Sequence, residues 1–247
     1  MIPLRGGFRP NSWAVRRKGR RTVRGSVFAP SVGTGVARAY IVRMAPQQID
    51  LFATPSPPGL KAADTFLSAA EEGALIAMID AADLTPFRFQ QWTGKRLTAS
   101  FGWHYDFEQG SFTPTEPMPD MLLPIRARAA AFAGLEPAAL VQALLIRYDP
   151  GAGIGWHRDR PTFEHVVGLS LGAPATMRFR LRDGTREGRA TYRREAQALV
   201  PRSIYHLSAE ARWEWEHSIA PIAETRWSVT FRSLSERGRI EARNRLA

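Results

Sequence analysis

Five histidines are the scarcest chemically useful residues of this chain, and two of them open a His-x-Asp pair: His104-Tyr-Asp106 and His157-Arg-Asp159. On an extended segment both side chains of such a pair point the same way, because the strand period is two. The 247 residues contain no cysteine, so a transition-metal site would be built from imidazole and carboxylate. Two His and one carboxylate on one face of a metal, with the other positions open, suit a non-haem Fe(II) oxygenase. Spacing alone does not choose between the pairs. With 23 acids in the chain, five histidines give one such match by chance almost half the time.

Context does choose. His157 follows Pro150-Gly-Ala-Gly-Ile-Gly155, a turn leading into the exposed start of a strand. A second strand-borne histidine, His217, lies 58 residues beyond Asp159, a separation that suits two strands meeting across a barrel. His104 instead sits in the aromatic run Ser100-Phe-Gly-Trp-His-Tyr-Asp106, read as a surface hairpin covering the mouth. His165 and His206 are read as structural. In Arg226-Trp-Ser-Val-Thr-Phe-Arg232 the alternation puts Arg226, Ser228, Thr230 and Arg232 on one face and Trp227, Val229 and Phe231 on the packing face. The two arginines stand about 20 Å apart along the strand. Folding inward, they could grip the two ends of a dicarboxylate as bidentate forks. The competing reading is a solvated strand face.

These residues need elements to hold them. Ser68-Ala-Ala-Glu71 is a capping box, with Leu75, Met78, Ile79 and Ala82 following at helical spacing. A second helix is predicted from about Pro124 to Ala133, ended by Gly134, with one more turn near 136–140. From Val141 the pattern becomes β. Strands are predicted over 141–148, 165–171, 176–181, 198–207, 213–219 and 225–234, with Asp183-Gly184 as a hairpin turn. Many short strands with Gly/Pro turns indicate a mainly β domain with flanking helices, a sandwich or a barrel.

Charge divides the chain. Residues 1–44 carry ten Lys and Arg and no acid, leaving 24 basic and 23 acidic residues in the rest. The net +11 therefore describes an extension without periodicity, read as disordered: a polyanion-binding arm, a targeting peptide, or sequence upstream of a start at Met44, the reading favoured here. Residues 45–247 are expected to form one domain that is nearly neutral, so nucleic-acid binding there must rest on local patches. No apolar run approaches the roughly 18 residues of a membrane helix, and the absence of cysteine fits a reducing compartment. A cytoplasmic monomer with no membrane partner is the expectation.

At this point the sequence resembles a known family. The run Tyr148 to Asp159 (Tyr-Asp-Pro-Gly-Ala-Gly-Ile-Gly-Trp-His-Arg-Asp), then Val167-Gly-Leu-Ser-Leu-Gly172, then Glu210 to Ile219, then Arg226-x-Ser-x-Thr-Phe-Arg232, look like the successive motifs of AlkB-type Fe(II)/2-oxoglutarate dioxygenases. The resemblance covers roughly residues 85–234, in order. It implies a double-stranded β-helix (jelly roll) core over about 141–234, with iron held by His157, Asp159 and His217. It implies that Tyr148 and Arg226, on the face that also carries Ser228, hold the distal carboxylate of 2-oxoglutarate, with Arg232 near the metal-bound one, and O2 as the oxidant. Ile146 stands where many nucleic-acid repair members have Asn, and Pro161 where base-demethylating members often have an acid. The Gly168-Leu-Ser-Leu-Gly and Glu-Ala-Arg-x-x-Trp-x-His runs look closer to the tRNA-modifying and less characterised bacterial branches.

The segment Lys95 to Gly102 with Tyr105 resembles the family's substrate lid, placed here at about 87–107. Lys95, Arg96, Phe101, Tyr105 and Arg160 are therefore candidates to meet phosphate and base. The expected function is oxidative demethylation or hydroxylation of a base in alkylated DNA, RNA or tRNA, single-stranded or flipped out. Two alternatives stay open: an oxygenase of a small molecule or protein side chain, and a catalytically silent nucleic-acid-binding module.

Overall fold

Six of the nine residues from Leu140 to Tyr148 are buried and none is exposed, as in a strand covered on both faces. What covers it defines the architecture. The computed structural model describes residues 56–89, 92–106 and 110–246. The basic extension read over residues 1–44 and the start read at Met44 lie outside the described residues.

In chain order the elements are β1 (Leu60–Ala63), α1 (Ala69–Ala81), β2 (Thr85–Phe89), β3 (Trp92–Phe101), β4 (Trp103–Asp106), β5 (Ser111–Pro114) and α2 (Leu122–Ala133). A single 3-10 turn at Pro137–Ala139 leads into β6 (Leu140–Tyr148) and β7 (Ile154–His157). Then come β8 (Phe163–Gly172), β9 (Ala175–Arg186), β10 (Arg189–Leu199), β11 (Ile204–Leu207), α3 (Ala209–Trp213), β12 (Glu216–Ile219), β13 (Arg226–Leu234) and α4 (Glu236–Leu246).

The strands form a seven-stranded sheet, β1-β11-β8-β13-β6-β3-β2, a four-stranded sheet, β10-β9-β12-β7, and the separate β4–β5 hairpin, all paired antiparallel. The inward face of the large sheet meets the small sheet: Val166 and Leu207 pack with Met177, Phe179 and Ile219. The outward face carries Val167, Leu169, Val229 and Phe231 and is covered by Leu75 and Ile79 of α1 and Ile125 and Ala129 of α2. This is the mainly β jelly-roll expectation, with α1 and α2 on the outward side of the large sheet. The large sheet reaches beyond residues 141–234, because β1 joins one edge and β3 pairs with β6.

Local chemistry explains the helix ends. Ser68 Oγ accepts from the Glu71 N–H at 3.2 Å, and the Ser68 N–H donates to Glu71 Oε2 at 2.8 Å, completing the capping box. α2 stops at Gly134, whose φ of 71° lets its N–H turn back to the carbonyls of Ala130 and Ala131. The helix begins two residues before the predicted Pro124, which the first turn tolerates because its N–H would be unpaired there anyway.

Three β readings change. Asp183-Gly184 is not a hairpin turn. Gly184 faces Thr191 and Arg182 faces Tyr192, so Asp183 is the extra residue of a bulge, and β9 continues to Arg186. The turn falls at Glu187-Gly188, where both residues have positive φ. The predicted strand 198–207 is the end of β10 and the separate β11, divided by a turn at Pro201-Arg202. The predicted strand 213–219 begins only at Glu216. Ala209 to Trp213 is helical, with Glu210 in the first turn and Arg212 in the last, complementing the helix dipole.

A candidate metal centre beneath a cavity

His217 sits directly opposite His157 in the β12–β7 pairing. From there to the next pair, Ile219 opposite Ile154, β7 uses one residue more than β12. That bulge allows Ile154 to face the core and His157 to stand beside His217. The two imidazole centroids are 4.3 Å apart. Asp159 completes the group: the ligating atoms of His157, Asp159 and His217 all lie within 4.8 Å of one another, about the span one ion bridges with bonds of about 2.0–2.3 Å.

Each ligand is oriented by a neighbour. The Gly155 carbonyl, an acceptor only, lies 2.9 Å from His157 Nδ1, so Nδ1 carries the proton and Nε2 keeps its lone pair. Arg232 Nη2 donates to Asp159 Oδ1 at 3.3 Å, and Asp159 Oδ2 lies 3.6 Å from His217 Nε2. Burial alone would push the Asp159 carboxyl up. The neighbouring positive charge, Arg232 first, outweighs it and holds the group well below the usual carboxylate range. Burial pushes both imidazoles down, His217 to about 3 with the help of His157. Two neutral imidazoles and one carboxylate are the protonation states a divalent metal needs.

The strand bearing Arg226 and Arg232 alternates as read from the sequence, and the solvated-face reading is excluded. Arg226 is 1% exposed, and Ser228 and Thr230 are buried on the same face. Arg226 lies opposite Tyr148 in the β13–β6 register, its guanidinium carbon 4.9 Å from the phenol centroid. Arg226 Nη2 donates to Ser170 Oγ at 2.8 Å, while its Nε is buried without a partner, as is Arg232 Nε. A buried guanidinium facing one neutral hydroxyl is costly unless an anion completes it. The two unsatisfied arginines thus fit a dicarboxylate, and the 2-His-1-carboxylate set fits Fe(II).

Above the candidate ligands opens a cavity of about 1110 Å³ whose wall includes His157, Asp159 and Arg232. Arg96, Tyr105 and Arg160 of the candidate substrate residues line it. The Arg96 guanidinium lies 3.9 Å from the Phe87 ring centroid and that of Arg160 lies 4.5 Å from the Tyr105 ring centroid. Arg96 is mostly buried, and its Nε has no partner. Phe101 is a correction: β3 alternation turns it the other way, into the core beneath the helices, with Ala99. Lys95 is exposed and stays outside the cavity wall, beside the Gly151 turn. His104 is exposed on β4, lines the same cavity and is not among the three clustered candidate ligands.

Sequence reasoning missed several supporting residues. Gln142 donates to the Trp103 carbonyl at 2.8 Å and accepts from Arg232 at 3.1 Å, tying the β4–β5 hairpin to the site. Arg212 donates to the carbonyls of Arg160 and Phe163, fixing the chain after Asp159. Tyr205 lies across Gly168, where a Cβ would meet its ring at 2.2 Å, and burial pushes its phenol up to about 12. The Glu-Ala-Arg run marked Arg212. Nothing in the local sequence marked Gln142, which acts across 90 residues.

Residues 91–242 match the family described as the 2OG-Fe(II) oxygenase superfamily. The chain is 28% identical over 183 residues to an alkylated DNA repair protein ALKBH8 homolog of Arabidopsis thaliana, spanning 66% of this chain and 51% of that protein. It is 28% identical over 173 residues to the tRNA (carboxymethyluridine(34)-5-O)-methyltransferase ALKBH8 of Macaca fascicularis, spanning 66% of this chain and 24% of that one. The chain thus spans about half or less of the length of these curated relatives. Among solved structures, OsALKBH1 superposes with a TM-score of 0.54 at 15% identity, covering 73% of this chain and 99% of that one. A Pseudomonas putida prolyl-4-hydroxylase superposes with 0.50 at 17% identity, covering 72% and 93%. These two likenesses bear on the fold. No helix among the described residues is long and apolar enough to cross a membrane.

Proposed function

The chain belongs to the 2OG-Fe(II) oxygenase superfamily as an AlkB-type member, and from that membership we propose that it oxidises a modified base held in single-stranded or flipped-out nucleic acid. The observation that carries the substrate reading is the cavity over the ligand triad, walled by arginines stacked on aromatic rings: Arg96 on Phe87 and Arg160 on Tyr105. Flat apolar surface takes a base, and the adjoining guanidinium groups take phosphate. Two of the relatives carry names that refer to DNA repair and to tRNA modification.

In this reading His157, Asp159 and His217 hold Fe(II). Arg226 with Tyr148 and Ser228 holds one carboxylate of 2-oxoglutarate, and Arg232 lies toward the other. Bound Fe(II), with 2-oxoglutarate and O2, supplies the oxidising power to put oxygen into an unactivated C–H bond. The chain's own contribution is position. Gly155 fixes the His157 tautomer, and Arg232 keeps Asp159 ionised and aimed. Arg226 is buried, and a charge-assisted bond to the co-substrate is strongest away from water. The stacked arginines orient the target base over the triad. If the target is an N-methyl group, the hydroxymethyl product releases formaldehyde.

The experiment is a succinate-coupled screen of methylated DNA, RNA and tRNA with iron and ascorbate. Turnover on one of these that disappears in His157→Ala is the expected result. Turnover confined to peptides or small molecules would replace the substrate class. Wild type indistinguishable from His157→Ala, with no iron bound, would remove the enzyme reading.

A further inference from the structure

The small sheet has two faces, and the second carries chemistry of its own. On β7 and β12 the residues preceding the metal-binding histidines are Trp156 and Glu216. The Arg180 guanidinium carbon stands 4.5 Å from the Trp156 centroid, and that of Arg178 stands 5.3 Å from it. Arg180 also lies 4.7 Å from the Tyr192 centroid, and Arg194 lies 5.7 Å from the same ring. Arg178, Trp156, Arg180, Tyr192 and Arg194, from β9, β7 and β10, thus form one continuous row of alternating guanidinium and aromatic groups. Arg194 is the direct cross-strand partner of Arg180.

The row is charged well beyond what it neutralises. The segment from Ala175 to Leu199 holds seven arginines and three acids. Among the described residues, Arg180 is the member of the row with a carboxylate partner, Glu216 at 2.6 Å. Arg178 and Arg194 are exposed, and Arg194 faces another arginine across the ladder. Directly opposed like charges destabilise a sheet. Such a face costs stability in the free protein and is repaid by an anion that lies along it. A polyanion with flat, stackable units between its charges matches the alternation, which describes single-stranded nucleic acid.

The row also reaches the site. β7 is the edge strand of the small sheet, and Trp156 contributes to the cavity wall as well as to the row. A strand whose target base enters the cavity can therefore turn over this edge at Trp156 and continue along the back of the sheet.

We propose that this outer face, Trp156 to Arg194, is a docking track for the single-stranded stretch flanking the reacting nucleotide. The inference rests on the nucleic-acid reading of the site and adds a second, non-catalytic binding surface to it. The track holds phosphates by Arg178 and Arg194 and stacks bases on Trp156 and Tyr192.

The test uses the full chain and a fluorescein-labelled, mixed-sequence single-stranded RNA, with Kd measured by anisotropy across a KCl series. Arg178→Glu with Arg194→Glu should weaken binding about tenfold or more and flatten the slope of log Kd against log salt by about 1.4, two contacts at about 0.7 each. Arg178→Lys with Arg194→Lys should restore the slope, since the charge returns. Tyr192→Leu should weaken binding several-fold with the slope unchanged, because stacking releases no counterion. Wild-type Kd and slope in the charge-reversal variant would overturn the proposal. So would loss of binding to phosphatidylserine vesicles with RNA binding intact. If the track binds RNA but no base is turned over, the substrate reading fails and the track stands. If a base is turned over and these variants bind like wild type, the track alone fails.

Discussion

Arg232 donates to one oxygen of Asp159 while the other oxygen of that carboxylate faces His217 Nε2. Arg232 thus helps orient the candidate carboxylate ligand and is foremost among the charges that keep it ionised. Replacing Arg232 with Met removes the largest charge holding the Asp159 proton affinity down. The Asp159 carboxyl then rises toward the value its burial favours. A carboxylate must be ionised to ligate, so metal binding should be lost at higher pH than in wild type, on the acid side. At neutral pH affinity should fall about 10–100-fold, the usual effect of losing such a support. Co(II) titration followed by visible absorption at several pH values checks both. Unchanged affinity and pH dependence would show that Asp159 needs no such support.

The competing His-x-Asp pairs separate cleanly in the same assay. His157→Ala and His217→Ala should abolish stoichiometric Co(II) binding. His104→Ala should bind it as wild type does, because His104 stands on β4 outside the three-residue cluster. A Co(II) site that survives in His217→Ala and fails in His104→Ala would reverse the assignment.

Arg226 gives opposite signs for binding and for stability. Its Nε is unsatisfied and its side chain is 1% exposed. Arg226→Met should weaken 2-oxoglutarate binding about 100-fold, the loss of two charge-assisted bonds at about 1.5 kcal/mol each. Without 2-oxoglutarate its Tm should equal or exceed that of wild type, since a buried cation with one neutral partner is exchanged for apolar packing. Calorimetry with and without 2-oxoglutarate reads both. A large Tm loss without the ligand would mean that Arg226 is needed to build the fold.

A pH effect is also expected outside the three-residue cluster. His206 Nε2 lies 2.9 Å from His165 Nδ1, opposite Lys61 on β1. Burial, then His165 and Lys61, lower His206 from 6.5 to about 4. The folded form therefore binds this proton less readily than the unfolded chain. Stability from the neutral ring is present above pH 6.5 and is lost as pH falls toward 4. His206→Gln should shrink the Tm drop over that interval. A drop as steep as in wild type would place the sensitivity elsewhere.

Much of the site was legible because its signals are short-range. The alternation of Arg226 to Arg232 depends on strand period alone and holds in β13, whereas Asp159 joins His157 from just beyond the end of β7. The capping box at Ser68 is equally local. The misreadings occur where tertiary partners decide. Asp183-Gly184 has hairpin chemistry, yet β10 pairs past it and absorbs Asp183 as a bulge. Phe101 sits in a lid-like segment, but β3 joins the large sheet and turns it into the core. Gln142 looks like any strand glutamine until Arg232 and Trp103 arrive from distant segments.

The bulge in β7 has a further consequence. The small sheet ends on one side at β7, four residues long, and on the other at β10. Open strand edges invite a second molecule to continue the ladder, which is how sheets aggregate. β7 resists this through its shortness and through the irregularity that carries His157 to its place, since a kinked edge offers no run of evenly spaced donors and acceptors. β10 resists it through repulsion, with Arg189, Arg193 and Arg194 exposed along it. The distortion that aims a candidate ligand and the charges of the outer row thus also keep the protein from templating its own fibres.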